Sequence, residues 1–206
     1  MVIPDMLVEA MRGLASSDGS RTIVDLTHQV NLGLLEALVS LLQPRISFVR
    51  IIRSRYDTVR SFMNESKVPC GSDVAWTLCP LYHPDSVLKV SNTTWAKLSA
   101  SQRNMWFVDE VEARWQRLLL TYPSLPHLTV NWCNRDQLLK ARVAVADFIG
   151  GGVLSPKPCS SHTHGQKNLS DFVLAADDAR YKTLVAYPPH LWRMIQRVQT
   201  PNDCKW

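Results

Sequence analysis

The chain has no C-x-x-C pair, and its five cysteines (Cys70, Cys79, Cys133, Cys159 and Cys204) are odd in number and scattered. That spacing argues against a zinc ribbon or a disulfide framework and leaves reduced thiols as the plain expectation. No GxSxG, HExxH or Walker A stretch occurs, so the hydrolase, zincin and P-loop NTPase signatures are missing. Cys159, His162 and His164 in CSSHTH lack a fourth ligand at a workable spacing, so the segment reads as a polar loop and no metal is expected. The longest apolar runs, such as LGLLEALVSLL at 32–42, are interrupted and too short to span a bilayer. The N-terminus, MVIPDMLVEAMRGL, carries Asp5 and Glu9 where a signal peptide would be basic, so no targeting segment is read there. Internal repeats and low-complexity tracts are absent too.

What remains is an ordinary globular composition. The 206 residues are 46% hydrophobic and 20% charged, enough for one domain with a real core. A formal charge of +5 favours anionic partners but does not by itself imply a nucleic-acid protein. Sequons at Asn64, Asn92 and Asn168 would matter only in a secretory lumen, and chance occurrence is the simpler expectation.

Hydropathy patterning predicts alternating strands and helices. Residues 3–14 read as a short amphipathic helix and RTIVDLT as a buried strand. Leu32 to Leu42 reads as a helix, with Pro44 just past its end. Ile46 to Ile52 is a nearly continuous apolar run, of the kind a parallel sheet buries on both faces. A helix follows from Tyr56 or Asp57. Residues 64–92, with prolines and polar breaks, read as a long loop or insertion. A helix is expected from Thr94 to Leu120, with Val108, Val111, Trp115 and Leu118 on one side and Glu110 pairing with Arg114. HLTVNW is the third strand and Arg135 to Ile149 a helix; 150–170 is a loop, and the last 30 residues are helical up to Pro188-Pro189. Trp106 and Trp115 belong in a core, while Trp76 and Trp95 either pack or line a pocket. Such alternation predicts an α/β fold, a parallel sheet flanked by helices with a helical C-terminal part. Its ligand edge would collect His28, Arg53, Asn131 and Trp132.

RIIRSRYDTVRSF, residues 50–62, holds four arginines and no lysine. Arg53 falls at the strand tip. With Asp57 as helix N-cap, Ser61 would sit about one turn in, roughly 6 Å along the axis. A bidentate guanidinium, a hydroxyl and free helix-start amides together suit a phosphate; a solvated helix start is the alternative. Arg50 points to packing or an ion pair, and Arg55 and Arg60 to solvent.

The pattern R-x-x-x-D-x-x-x-S (Arg53, Asp57, Ser61) after ISFVRII resembles the 3′-phosphate-binding segment of the sulfotransferase superfamily. Ser54-Arg55 stands where that family often has Asn-Pro. THQVNLGLLEALVSLL resembles the T-H-x-x-x-x-x-L-L stretch of cytosolic members, although His28 lies three residues farther from Arg53 than expected. WFVDEVEARWQRLLLTYP resembles a scaffold helix of diverged members. The resemblance spans roughly residues 20–150. It implies a P-loop-type fold with 3′-phosphoadenosine 5′-phosphosulfate as donor, Arg53 and Ser61 on its 3′-phosphate, and His28 as the base that deprotonates a hydroxyl or amine acceptor.

The same resemblance requires a phosphosulfate loop such as Y-P-K-S-G-T-T-W ahead of the histidine. Only 27 residues precede His28, and SSDGSRT has an aspartate where the cation belongs. The later R-K-G phosphate segment is missing as well. The expectation is therefore an N-terminally truncated or non-catalytic sulfotransferase-like domain, inactive as written. It would be cytoplasmic if complete, or in the Golgi lumen if an N-terminal anchor precedes it. Its partners would be a nucleotide and a small acceptor. A non-catalytic interaction module is one alternative. The other is a nucleic-acid patch of Arg45, Arg50, Arg53, Arg55 and Arg60.

Overall fold

The hydrophobic run at Phe48–Ile52 forms strand β1 and pairs in parallel with β2, His127–Asn131, in the register Phe48 to His127 through Ile52 to Asn131. The computed structural model describes residues 34–42, 45–71, 78–81, 85–131, 135–149, 171–185, 187 and 193. Among these the fold is mixed α/β and mostly helical. Helix α1 spans Leu34–Leu42, α2 Arg55–Asn64, α3 Asn92–Lys97, α4 Ala100–Thr121, α5 Arg135–Phe148 and α6 Asp171–Leu184. The strand expected at RTIVDLT, the helix expected at 3–14 and the loop at 150–170 lie outside the described residues.

Helix α4 is the central beam. Ser99 caps it, accepting from the Gln102 backbone N–H at 3.3 Å, while the Gln102 side chain accepts from the Ser99 N–H at 2.9 Å. This capping box breaks the helix expected over 94–120 into α3 and α4, with Leu98 extended between them. Two hydrophobic clusters sit along the beam. One gathers Val59, Leu88, Trp95, Trp106, Leu174 and Tyr181 from α2, α3, α4, α6 and the 64–92 segment. The other joins Val39 of α1 to Trp115, Leu118 and Leu125, with Phe48 against them. Trp106 is fully buried and donates its indole N–H to the Leu88 carbonyl at 3.1 Å. A side chain of that size contributes roughly 3–5 kcal/mol, judged by the cost of its truncation. Trp95 is 3% exposed and meets Trp106 edge-on, so it packs in the core.

Three expectations need correcting. Among the described residues one face of β1 is covered: Phe48 and Arg50 face Trp115 of α4, whereas Val49 and Ile51 are 37% and 61% exposed. The N-cap of α2 is Ser54, not Asp57, because the Ser54 hydroxyl already accepts from the Asp57 N–H. Cys70 and Cys79 are joined in a disulfide rather than free. Between α2 and α3 the described residues of the 64–92 segment form neither helix nor strand. It is tied down where the Val87 and Leu88 N–H groups donate to the Glu110 carboxylate at 2.9 and 2.7 Å.

Candidate functional site

Parallel pairing brings the C-terminal ends of both strands to one edge. Ile52 is matched with Asn131, and Arg53 is the next residue out, exposed at the tip. The other three arginines of the junction are already committed to carboxylates. Arg50 bonds Glu112 and lies 5.5 Å over the Trp115 ring. Arg55 grips Asp109 through Nε and Nη2, both at 2.8 Å, and Asp178 through Nη1 at 2.6 Å. Arg60 donates to Asp57 at 3.2 Å. Arg53 alone of the four makes no side-chain hydrogen bond or ion pair among the described residues.

The helical period explains this division. Arg55, Val59 and Phe62 recur at i, i+4 and i+7 and form the face of α2 that packs on α4 and α6. Ser54 and Ser61, seven residues apart, fall on the opposite side, as does Asp57. Because the cap is Ser54, Ser61 lies about two turns in, roughly 10 Å along the axis rather than 6 Å. A phosphate at Ser61 therefore cannot also receive the first-turn amides. Asp57 lies on the Ser61 side of the helix, and its pairing with Arg60 reduces the repulsion an anion would meet there.

Behind this face lies a buried polar cluster that sequence reasoning missed. Arg55 was expected in solvent; it is 5% exposed, because its place on the Val59–Phe62 stripe points it inward. Asp178 also accepts from the Tyr56 hydroxyl at 3.0 Å and from Lys182 at 2.9 Å. Burial pushes the Asp178 carboxyl up, but Arg55 and Lys182 outweigh it and hold the group below its ordinary value. The Arg55 guanidinium lies 5.4 Å from the Tyr181 ring, and the Tyr181 and Tyr187 hydroxyls bond each other. Burial, above all, keeps both phenols protonated well beyond the usual range. Buried and paired with two carboxylates, Arg55 is not presented to an external anion; the cluster locks α2, α4 and α6 together. The i, i+4, i+7 spacing of Arg55 with Val59 and Phe62 was the signal available beforehand.

His28, the expected base, and Trp132 lie outside the described residues, as does CSSHTH; nothing is added to their assignment. Among the described residues no cluster of three metal-ligating side chains occurs, and no helix is long and apolar enough to cross a membrane. The chain matches no protein-family model, no curated protein and no solved structure.

Proposed function

We propose that this chain is a sulfotransferase-like α/β protein that binds the 3′-phosphate of a 3′-phosphoadenosine nucleotide through Arg53 and Ser61. The supporting observation is the isolation of Arg53. It is the one arginine of the junction without a carboxylate partner among the described residues, at the edge where a parallel sheet presents its strand ends. A free guanidinium provides paired N–H donors to phosphate oxygens, and the Ser61 hydroxyl provides one more. In the complete reaction, 3′-phosphoadenosine 5′-phosphosulfate would be the donor and His28 would take the proton of a hydroxyl or amine acceptor. Sulfuryl transfer needs in addition a loop that stabilises charge on the bridging oxygen. No K-S-G-T-T-like stretch occurs in the sequence. The reading is therefore one of nucleotide binding, without turnover by this chain as it stands.

The nucleic-acid reading is less favoured. It required a row of free arginines, and Arg50, Arg55 and Arg60 are occupied by Glu112, Asp109 with Asp178, and Asp57.

Calorimetric titration with 3′-phosphoadenosine 5′-phosphate tests the proposal. Saturable heat is expected from the native chain, and affinity at least about tenfold weaker for Arg53→Ala, the effect of losing a charge-assisted hydrogen bond. Adenosine 5′-phosphate, lacking the 3′-phosphate, should bind more weakly to the native chain and equally to both proteins. Identical titrations of native chain and variant with the 3′-phosphorylated nucleotide would remove Arg53 from any such site.

A further inference from the structure

Ser66 occupies a backbone conformation that ordinarily selects glycine. Its φ is 56°, in the left-handed region where a Cβ crowds the following carbonyl. It stands just past the end of α2, where the Ser66 N–H donates to the Met63 carbonyl at 3.1 Å and the Lys67 N–H to the Phe62 carbonyl at 2.8 Å. This is the Schellman closure, and its left-handed position is the usual place for glycine. The serine hydroxyl offers the fold nothing in return: the side chain is exposed and makes no hydrogen bond among the described residues. What it does complete is the tripeptide Asn64-Glu65-Ser66, an N-glycosylation acceptor that glycine would abolish.

Two further observations fall on the same stretch. Asn92, exposed at the start of α3, heads a second acceptor, Asn92-Thr93-Thr94. Between the two asparagines the Cys70–Cys79 disulfide closes the loop, with Leu78 and Cys79 buried beside it. A structural disulfide persists in the secretory pathway or outside the cell and is rare in the cytosol. Acceptor sequons are used in that same setting.

We propose that the chain is a glycoprotein of an oxidising secretory compartment, carrying N-linked oligosaccharides on Asn64 and Asn92 with the Cys70–Cys79 bond closed between them. In the glycosylation step the asparagine amide nitrogen bonds to C1 of a lipid-linked oligosaccharide. The C1–oxygen bond to the lipid pyrophosphate breaks, and the amide loses one proton. In the oxidation step the two thiols lose two protons and two electrons to the disulfide of a lumenal thiol–disulfide oxidoreductase, which is left as a dithiol. The proposal stands apart from nucleotide binding and survives if that fails.

The test expresses the full chain in a eukaryotic host behind a cleavable secretory leader, so that it meets the lumenal enzymes, with Asn168→Gln as reference so that only the two described acceptors count. Treatment with peptide N-glycosidase should collapse a doubly modified band, and peptide mass spectrometry should find the resulting deamidation at residues 64 and 92. Ser66→Gly suits the left-handed backbone and keeps the fold, yet should lose the Asn64 glycan; Ser66→Thr should retain it. Asn92→Gln should lose the other. Alkylation without reductant should leave Cys70 and Cys79 unlabelled. A reference chain unaffected by the glycosidase, glycan retained in full by Ser66→Gly, or both cysteines freely alkylated would overturn the proposal.

Discussion

Arg53 and Arg55 are two residues apart, carry the same charge and have opposite roles. Arg55 is sealed between two helices by Asp109 and Asp178, while Arg53 stands exposed one residue beyond the last strand pairing. The difference comes from geometry, not residue type. The turn into α2 begins at Ser54, and the first helical position falls on the stripe that continues through Val59 and Phe62. One cation is therefore part of the scaffold, and the other is available to a ligand.

Substitution at these two positions should separate the roles. Arg55→Ala removes the bidentate partner of buried Asp109 and leaves Asp178 with Tyr56 and Lys182 alone. It should destabilise by about 3–5 kcal/mol in denaturant unfolding, the usual cost of breaking a buried ion pair by removing one member. Arg53→Ala should change stability by less than about 0.5 kcal/mol, as exposed substitutions do, while weakening the nucleotide titration. Equal effects of the two on unfolding would erase the distinction between scaffold and site.

Between these extremes lies the loop closed by Cys70 and Cys79. Reducing it frees a short loop in the unfolded chain and should cost about 2–3 kcal/mol, seen as a lower urea midpoint in dithiothreitol than without it. A Cys70→Ser/Cys79→Ser chain should show no such response to reductant.

Smaller again is the alkaline response of the buried cluster. Tyr56 is pushed up to about 12, first by burial and then by Asp178, from an ordinary value of 10.0. The folded protein thus keeps the phenolic proton where the unfolded chain has lost it. The associated stability is complete below pH 10 and declines as pH rises towards 12. Tyr56→Phe should flatten the fall in unfolding free energy over that interval, and an unchanged slope would exclude Tyr56 as its source. At the acid end the sign reverses for Asp178. Its depressed value gives stability that is present above its ordinary 3.8 and lost as pH drops further.

Much of the scaffold was legible without coordinates. The apolar run at 46–52, the β-rich HLTVNW and the helices at 32–42 and 135–149 were read with boundaries near those observed, because period and turn residues are local signals. Arg50 was expected to serve packing or an ion pair and bonds Glu112; Glu110 and Arg114 pair at 2.7 Å as i, i+4 spacing suggested. The errors lie where local signals compete. Ser54 and Asp57 are both good caps, and choosing the wrong one moved Ser61 by a turn and sent Arg55 to solvent. The capping box at Ser99 and Gln102 was readable and was missed.

The parallel α/β character of the described core and the cation at a strand tip could be read from the order of residues alone. Both follow from periodicity and from where an apolar run ends. Which arginine stays unpaired among the described residues is set by folding, because it depends on Asp109, Glu112 and Asp178, which lie 54, 62 and 123 positions from the arginines they bind. Folding likewise decided that Cys70 meets Cys79, since pairing depends on how the intervening loop folds back and not on the cysteine count. Charges and thiols find their partners through packing, and packing is a property of the folded chain as a whole.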